Sequence, residues 1–81
     1  MNISFNTGFS QNNLLCPIRR FVSSYLLKAR KTDGETITVT NDAGDVFARI
    51  SSRKINDETL SVEIDVERKG YIFRALENHL H

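Results

Sequence analysis

The sequence predicts an α+β fold, a two-layer sandwich with a three-stranded antiparallel meander and two helices on one face of it, in the order α-β-β-β-α. Three observations lead there. Ile18, Phe21, Val22, Tyr25, Leu26 and Ala29 recur at helical spacing and form one apolar stripe. Residues 60–67 alternate strictly, with Leu60, Val62, Ile64 and Val66 opposing Ser61, Glu63, Asp65 and Glu67, as in a strand with one buried and one wet face. Ile72, Ala75, Leu76, His79 and Leu80 then return to helical spacing.

The elements follow in chain order. Residues 1–13 carry four asparagines and no charged side chain. Ile3-Ser4-Phe5 alternates like a short strand, but the segment as a whole reads as an irregular arm ahead of a single domain over residues 14–81. The first helix starts near Cys16 and Pro17, because a proline in the first turn gives up an N–H that has no intrahelical partner. It runs through Lys28, Arg30 and Lys31, cations that suit the negative end of the helix dipole. Thr32-Asp33-Gly34 ends it. Strands are expected at 36–40, where Ile37 and Val39 oppose three threonines, at 46–52, and at 60–67. The turns at 41–45 and 56–58 are rich in Asn and Asp. This meander sets Arg49 near Glu63. Its wet face is read as Thr36, Thr38, Thr40, Phe47, Arg49, Ser61, Glu63 and Asp65. For 71–76 a helix competes with a fourth strand, since Tyr71-Ile72-Phe73 is β-prone.

Composition narrows the function. Eighty-one residues make one small domain whose core gives a thin stability margin, one that self-association into a homo-oligomer would widen. Cys16 is the only cysteine, so no disulfide forms within the chain, and a reducing, cytoplasmic setting is expected. No apolar run reaches membrane-spanning length, and the N-terminus lacks the pattern of a signal peptide, so no membrane contact is expected. The net charge of +1 hides a segregation: residues 1–32 sum to +5 and residues 33–81 to −4. Such asymmetry points to a charged partner or to two faces that attract each other.

No motif specifies an enzyme, a metal or a cofactor. Cys16-Pro17 at a helix start resembles the Cys-Pro-x-Pro motif of a sulfur-carrier family, but Arg19 stands where the second proline belongs and no base lies nearby in the sequence. His79 and His81 offer two metal ligands where structural sites use four. Glu63, Asp65 and Glu67 alternate on one strand face, as solvated carboxylates do. Gly34, Gly44 and Gly70 are isolated turn residues rather than a phosphate loop. The outward side of the first helix, with Arg19, Arg20, Ser23, Leu27, Lys28, Arg30 and Lys31, suits contact with phosphate or with an acidic protein surface. The α-β-β-β-α order is similar to that of double-stranded-RNA-binding domains, although Asp42 and Asp45 occupy the loop that would meet phosphate. The expected function is therefore a non-catalytic regulator or inhibitor that occupies a partner protein's surface, with nucleic-acid binding through the basic helix as the alternative. The expected contact residues are Arg19, Arg20, Ser23, Leu27, Arg30, Lys31, Phe47 and Arg49.

Overall fold

The computed structural model describes all residues from Met1 to His81. In chain order it comprises β1 (Asn2–Thr7), a 3₁₀ turn (Gln11–Asn13), α1 (Leu15–Ser23), β2 (Lys28–Asp33), β3 (Thr36–Thr40), β4 (Val46–Lys54), β5 (Leu60–Val66) and α2 (Gly70–Leu80). The strands form one sheet in the order β1-β5-β4-β3-β2, with every neighbouring pair antiparallel. It follows that β1 and β2 run parallel on opposite edges, and α1 carries the chain from one edge to the other.

Alternation decides which face the helices cover. Ile3 and Phe5 of β1, Ala29 of β2, Ile37 and Val39 of β3, Ala48 and Ile50 of β4, and all four apolar residues of β5 are buried on one side. Leu14, Ile18 and Val22 reach down from the α1 region, and Ile72, Phe73, Leu76 and Leu80 from α2, to complete a single core. Full burial of a side chain such as Phe73 or Leu76 removes enough apolar surface to stabilise the fold by about 1.5–3 kcal/mol each. The helices meet where Phe21 stacks on His79, with ring centroids 5.2 Å apart. The mix of helices and antiparallel strands agrees with the α+β class read from the sequence.

The three-stranded meander does not survive: the sheet has five strands. The supposed irregular arm contains β1, which pairs with β5 over its whole length from Asn2 opposite Asp65 to Thr7 opposite Leu60. Its alternation extends to Thr7, which is buried and donates from Oγ1 to the Leu80 carbonyl at 2.6 Å. The partner strand lies some sixty residues away in the chain, so nothing local marks the pairing.

The second correction concerns the first helix, which stops at Ser23. The Leu26 N–H bonds to the Ser23 carbonyl and the Leu27 N–H to the Val22 carbonyl, the paired bonds of a Schellman ending, with Leu26 in the left-handed region at φ 62°. Residues 28–31 therefore form an edge strand instead of a last helical turn. Ala29 fits both patterns, because it falls on the helical stripe and also points into the core from β2. Asp33 closes β2 opposite Thr36, and Gly34-Glu35 turns the β2–β3 hairpin, with Gly34 at φ 58°, rather than ending a helix. Arg49 faces Asp65 across β4 and β5, not Glu63, and its guanidinium pairs with Glu67 at 2.8 Å. At 71–76 the helix prevails over the strand, within α2.

Two neighbouring substitutions test the layer assignment. Val62 is wholly buried and Glu63 points to water. Val62→Asp is expected to abolish cooperative unfolding, because an unpaired carboxylate cannot be solvated there. Glu63→Gln is expected to shift stability by less than about 1 kcal/mol. Thermal melts followed by circular dichroism distinguish the two.

Candidate functional site: an apolar groove built on strained turns

One end of the sandwich carries a groove of about 470 Å³. Three segments line it. The α1–β2 turn gives Tyr25, Leu26 and Leu27, the β3–β4 turn gives Asn41, Asp42 and Ala43, and the start of α2 gives Lys69, Tyr71 and Ile72, with Phe47 among them. Leu27 and Ile72 are buried and form the floor. Tyr25, Leu26 and Tyr71 are 38%, 81% and 64% exposed, which puts three large apolar side chains in water at one place. Such a concentration is the kind of surface that marks a contact site.

The backbone beneath the groove is held off its ordinary minima. Leu26 (φ 62°) and Lys69 (φ 58°) are the only non-glycine residues with positive φ, and both line the groove. A side chain in this region costs roughly 1–2 kcal/mol relative to right-handed geometry. Glycine would avoid that cost in the Schellman ending after α1, yet a leucine occupies it with its side chain in solvent. Strain of this kind gathers where geometry is needed for a function.

Phe47 reaches the groove through an irregularity in the sheet. The β3–β4 register shifts between Val39 and Thr40, so Val39 faces Ala48 but Thr40 faces Val46. Phe47 is the extra residue. Its carbonyl accepts from both the Glu67 and Arg68 N–H groups, at 2.8 and 3.1 Å. Its ring is half-buried against the core, and the Arg68 guanidinium lies 6.0 Å from the ring centroid. Strict alternation had placed Phe47 on the open sheet face beside Arg49. The bulge overturns that placement. Charged groups rim the groove in pairs: Lys28 with Asp42 at 3.3 Å, and Arg68 with Asp45 at 3.6 Å.

The residues expected to make contact fall in three places. Leu27 and Phe47 belong to the groove, with Leu27 buried rather than outward-facing. Arg19, Arg20, Arg30 and Lys31 follow α1 and the β2 edge. Arg19 bridges the two by donating from Nε to the Ala29 carbonyl at 3.2 Å, and Lys31 pairs with Glu35 at 3.2 Å. Ser23 turns its hydroxyl back to the Arg20 carbonyl at 2.7 Å, which occupies its donor. Arg49 stands on the open sheet face, in a cross-strand row with Asp65, Thr38 and Arg30. Sequence reasoning missed Tyr25, Leu26 and Tyr71. The first two had been assigned to the buried stripe of a longer helix, and the weak helix formers Ser23-Ser24 just before them were the available sign that it ends.

No group of three or more His, Cys, Asp or Glu side chains is placed to hold a metal ion, and no helix is long and apolar enough to cross a membrane. Cys16 is exposed on α1, and the cap of that helix is Leu14, so the thiol does not serve as a cap. Compared with protein-family models, curated proteins and solved structures, the chain matches none.

Two stability measurements follow. Leu26→Gly is expected to raise the melting temperature, with a gain of up to about 1 kcal/mol, because relief of left-handed strain exceeds the added entropy of the unfolded chain. Cys16→Ser is expected to leave the melting curve unchanged within about 0.5 kcal/mol, since the side chain is in water.

Proposed function

We propose that the protein is a small, non-catalytic regulator or inhibitor that acts by occupying a partner protein's surface, with the groove as its contact site. The observation that carries this reading is Leu26, an 81% exposed leucine kept in a left-handed conformation beside two exposed tyrosines. A residue that destabilises the free protein is retained when its side chain has a task in a complex. Tyrosine is among the residues that anchor protein interfaces, and a groove with a buried floor accepts an apolar side chain from the partner. The cations along α1 and β2 lie next to the groove in the chain and steer an acidic partner toward it. The single exposed, unpaired Cys16 supports a reducing, cytoplasmic setting.

A nucleic-acid reading draws support from one specific observation: the Arg19 contact to Ala29 gathers Arg19, Lys28 and Arg30 at a single edge. Lys28 and Lys31 at this edge are already paired with Asp42 and Glu35, which weakens the edge as a phosphate track.

The test uses the tagged chain to capture partners from its native cell, with and without nuclease. Leu26→Gly and Tyr71→Ser should each lose the captured protein while melting at or above the wild-type temperature. Charge reversal at Arg19 and Arg20 should slow association of the identified partner and leave its dissociation rate nearly unchanged, as expected for a charged rim. Capture that vanishes with nuclease, with strong salt dependence on bare nucleic acid, would replace this reading with the second one.

A further inference from the structure

We propose that β1 is a dimerisation edge, at which a second copy of this chain adds its own β1 antiparallel to form a continuous ten-stranded sheet. The two edges of the sheet are built differently. β2 carries Lys28, Arg30 and Lys31 and a register slip between Lys31 and Asp33, devices that discourage strand addition. β1, Asn-Ile-Ser-Phe-Asn-Thr, has no charge, no proline and an unbroken register over its six residues. It is the unguarded edge of the molecule.

The hydrogen-bond phase of β1 fixes what that edge offers. Met1 and Val66 exchange both bonds, Val66 N–H to the Met1 carbonyl at 2.8 Å and the Met1 amino group to the Val66 carbonyl at 3.3 Å. Bonded pairs alternate along an antiparallel ladder, so Ile3, Phe5 and Thr7 also turn their backbone groups toward β5. The N–H and C=O groups of Asn2, Ser4 and Asn6 therefore point away from the sheet. No side chain or loop bonds to them.

This edge is self-complementary about Ser4. A two-fold axis there sets Ser4 against Ser4 of the second copy and Asn2 against its Asn6. All three outward-facing residues then enter bonded pairs, for about six new backbone hydrogen bonds. Asn2 and Asn6, opposite each other on the open face, have side-chain amides that can donate and accept. On the helix-covered face the same register sets Ile3 beside Phe5, an apolar cross-strand pair. The arrangement is isologous and closed, so it ends at two copies. It uses residues outside the groove, and its failure would leave the proposed function standing.

The experiment is sedimentation of the full chain over about a hundredfold range of concentration, where mass action reveals a dimer. The wild type is expected to shift from monomer to dimer. Ser4→Lys should remain monomeric, because it places like charges opposite each other across the axis, while its own β5 neighbour Glu63 keeps the monomer folded. In a Cys16→Ser background, Ser4→Cys should form a covalent dimer on mild oxidation, since a bonded antiparallel pair holds its Cα atoms at about 5.5 Å, within disulfide reach. A cysteine placed instead at Ser51, in the middle of the open face, should not. A wild type that stays monomeric throughout, a Ser4→Lys variant that dimerises as well as wild type, or cross-linking equal at both positions would overturn the proposal.

Discussion

The pairing of β1 with β5 is the constraint on which the rest of the molecule depends. It turns β5 into an interior strand, flanked by β4 on one side and β1 on the other, and so lets Val62 and Ile64 be fully buried. It also supplies the floor beneath α2. Thr7, at the end of β1, donates to the carbonyl of Leu80, at the end of α2, and so ties the last turn of the chain to its first strand. At the other end of β1 the Met1 amino group and carbonyl close on Val66. The sandwich is thus fastened at both ends of one short strand, by contacts between residues 65 and 73 positions apart in the chain. An 81-residue domain has little surplus stability, and a closure of this kind removes a strand edge from its most apolar strand.

That constraint also explains what could be read in the sequence and what could not. β3, β4, β5 and α2 carry local signals, with clean alternation or helical spacing bounded by Asn, Asp and Gly, and these elements were legible. β1 was not, because half of its residues are asparagine and serine and its pairing partner lies at the far end of the chain. β2 was hidden for a different reason. Leu27 and Ala29 are buried by a period of two, while Tyr25, Leu26 and Ala29 mimic a period near four, and the two patterns overlap on the same letters. The deciding event is the left-handed Leu26, a conformation leucine seldom adopts and that no propensity would assign to it. The groove was missed for that same reason, since it exists only because the helix stops there. Phe47 escaped through a bulge, which shifts side chains without leaving a mark in the alternation around it.

Local and global preferences conflict at only two residues, Leu26 and Lys69, and these lie across one groove from each other. Elsewhere the chain is consistent: no buried side-chain polar atom lacks a partner, and the left-handed glycines, Gly34 and Gly44, sit in hairpin turns. Sequences that specify a structure well violate their own rules where something other than folding is served. Two such violations on facing turns, joined by two exposed tyrosines, single out this end of the molecule by the energetics of the free chain alone.

The distribution of charge fits the same division of surfaces. The cations of α1 and β2 stand at one edge of the sheet, where they guard an open strand against indiscriminate pairing and give the molecule its basic side. The acids of β5 stand near the other edge, one strand in from β1, and leave β1 itself neutral. An edge that is neutral and regular leaves its backbone groups open to pairing, which is the basis of the proposed self-association. An edge that is basic and irregular rejects strands and acts through its field. The apolar groove opens among the turns at the basic side, so under the proposed function those cations would draw an acidic partner toward the exposed leucine and tyrosines. The two proposed modes of association, one by hydrogen-bond register and one by apolar insertion, would not compete, because β1 contributes no residue to the groove.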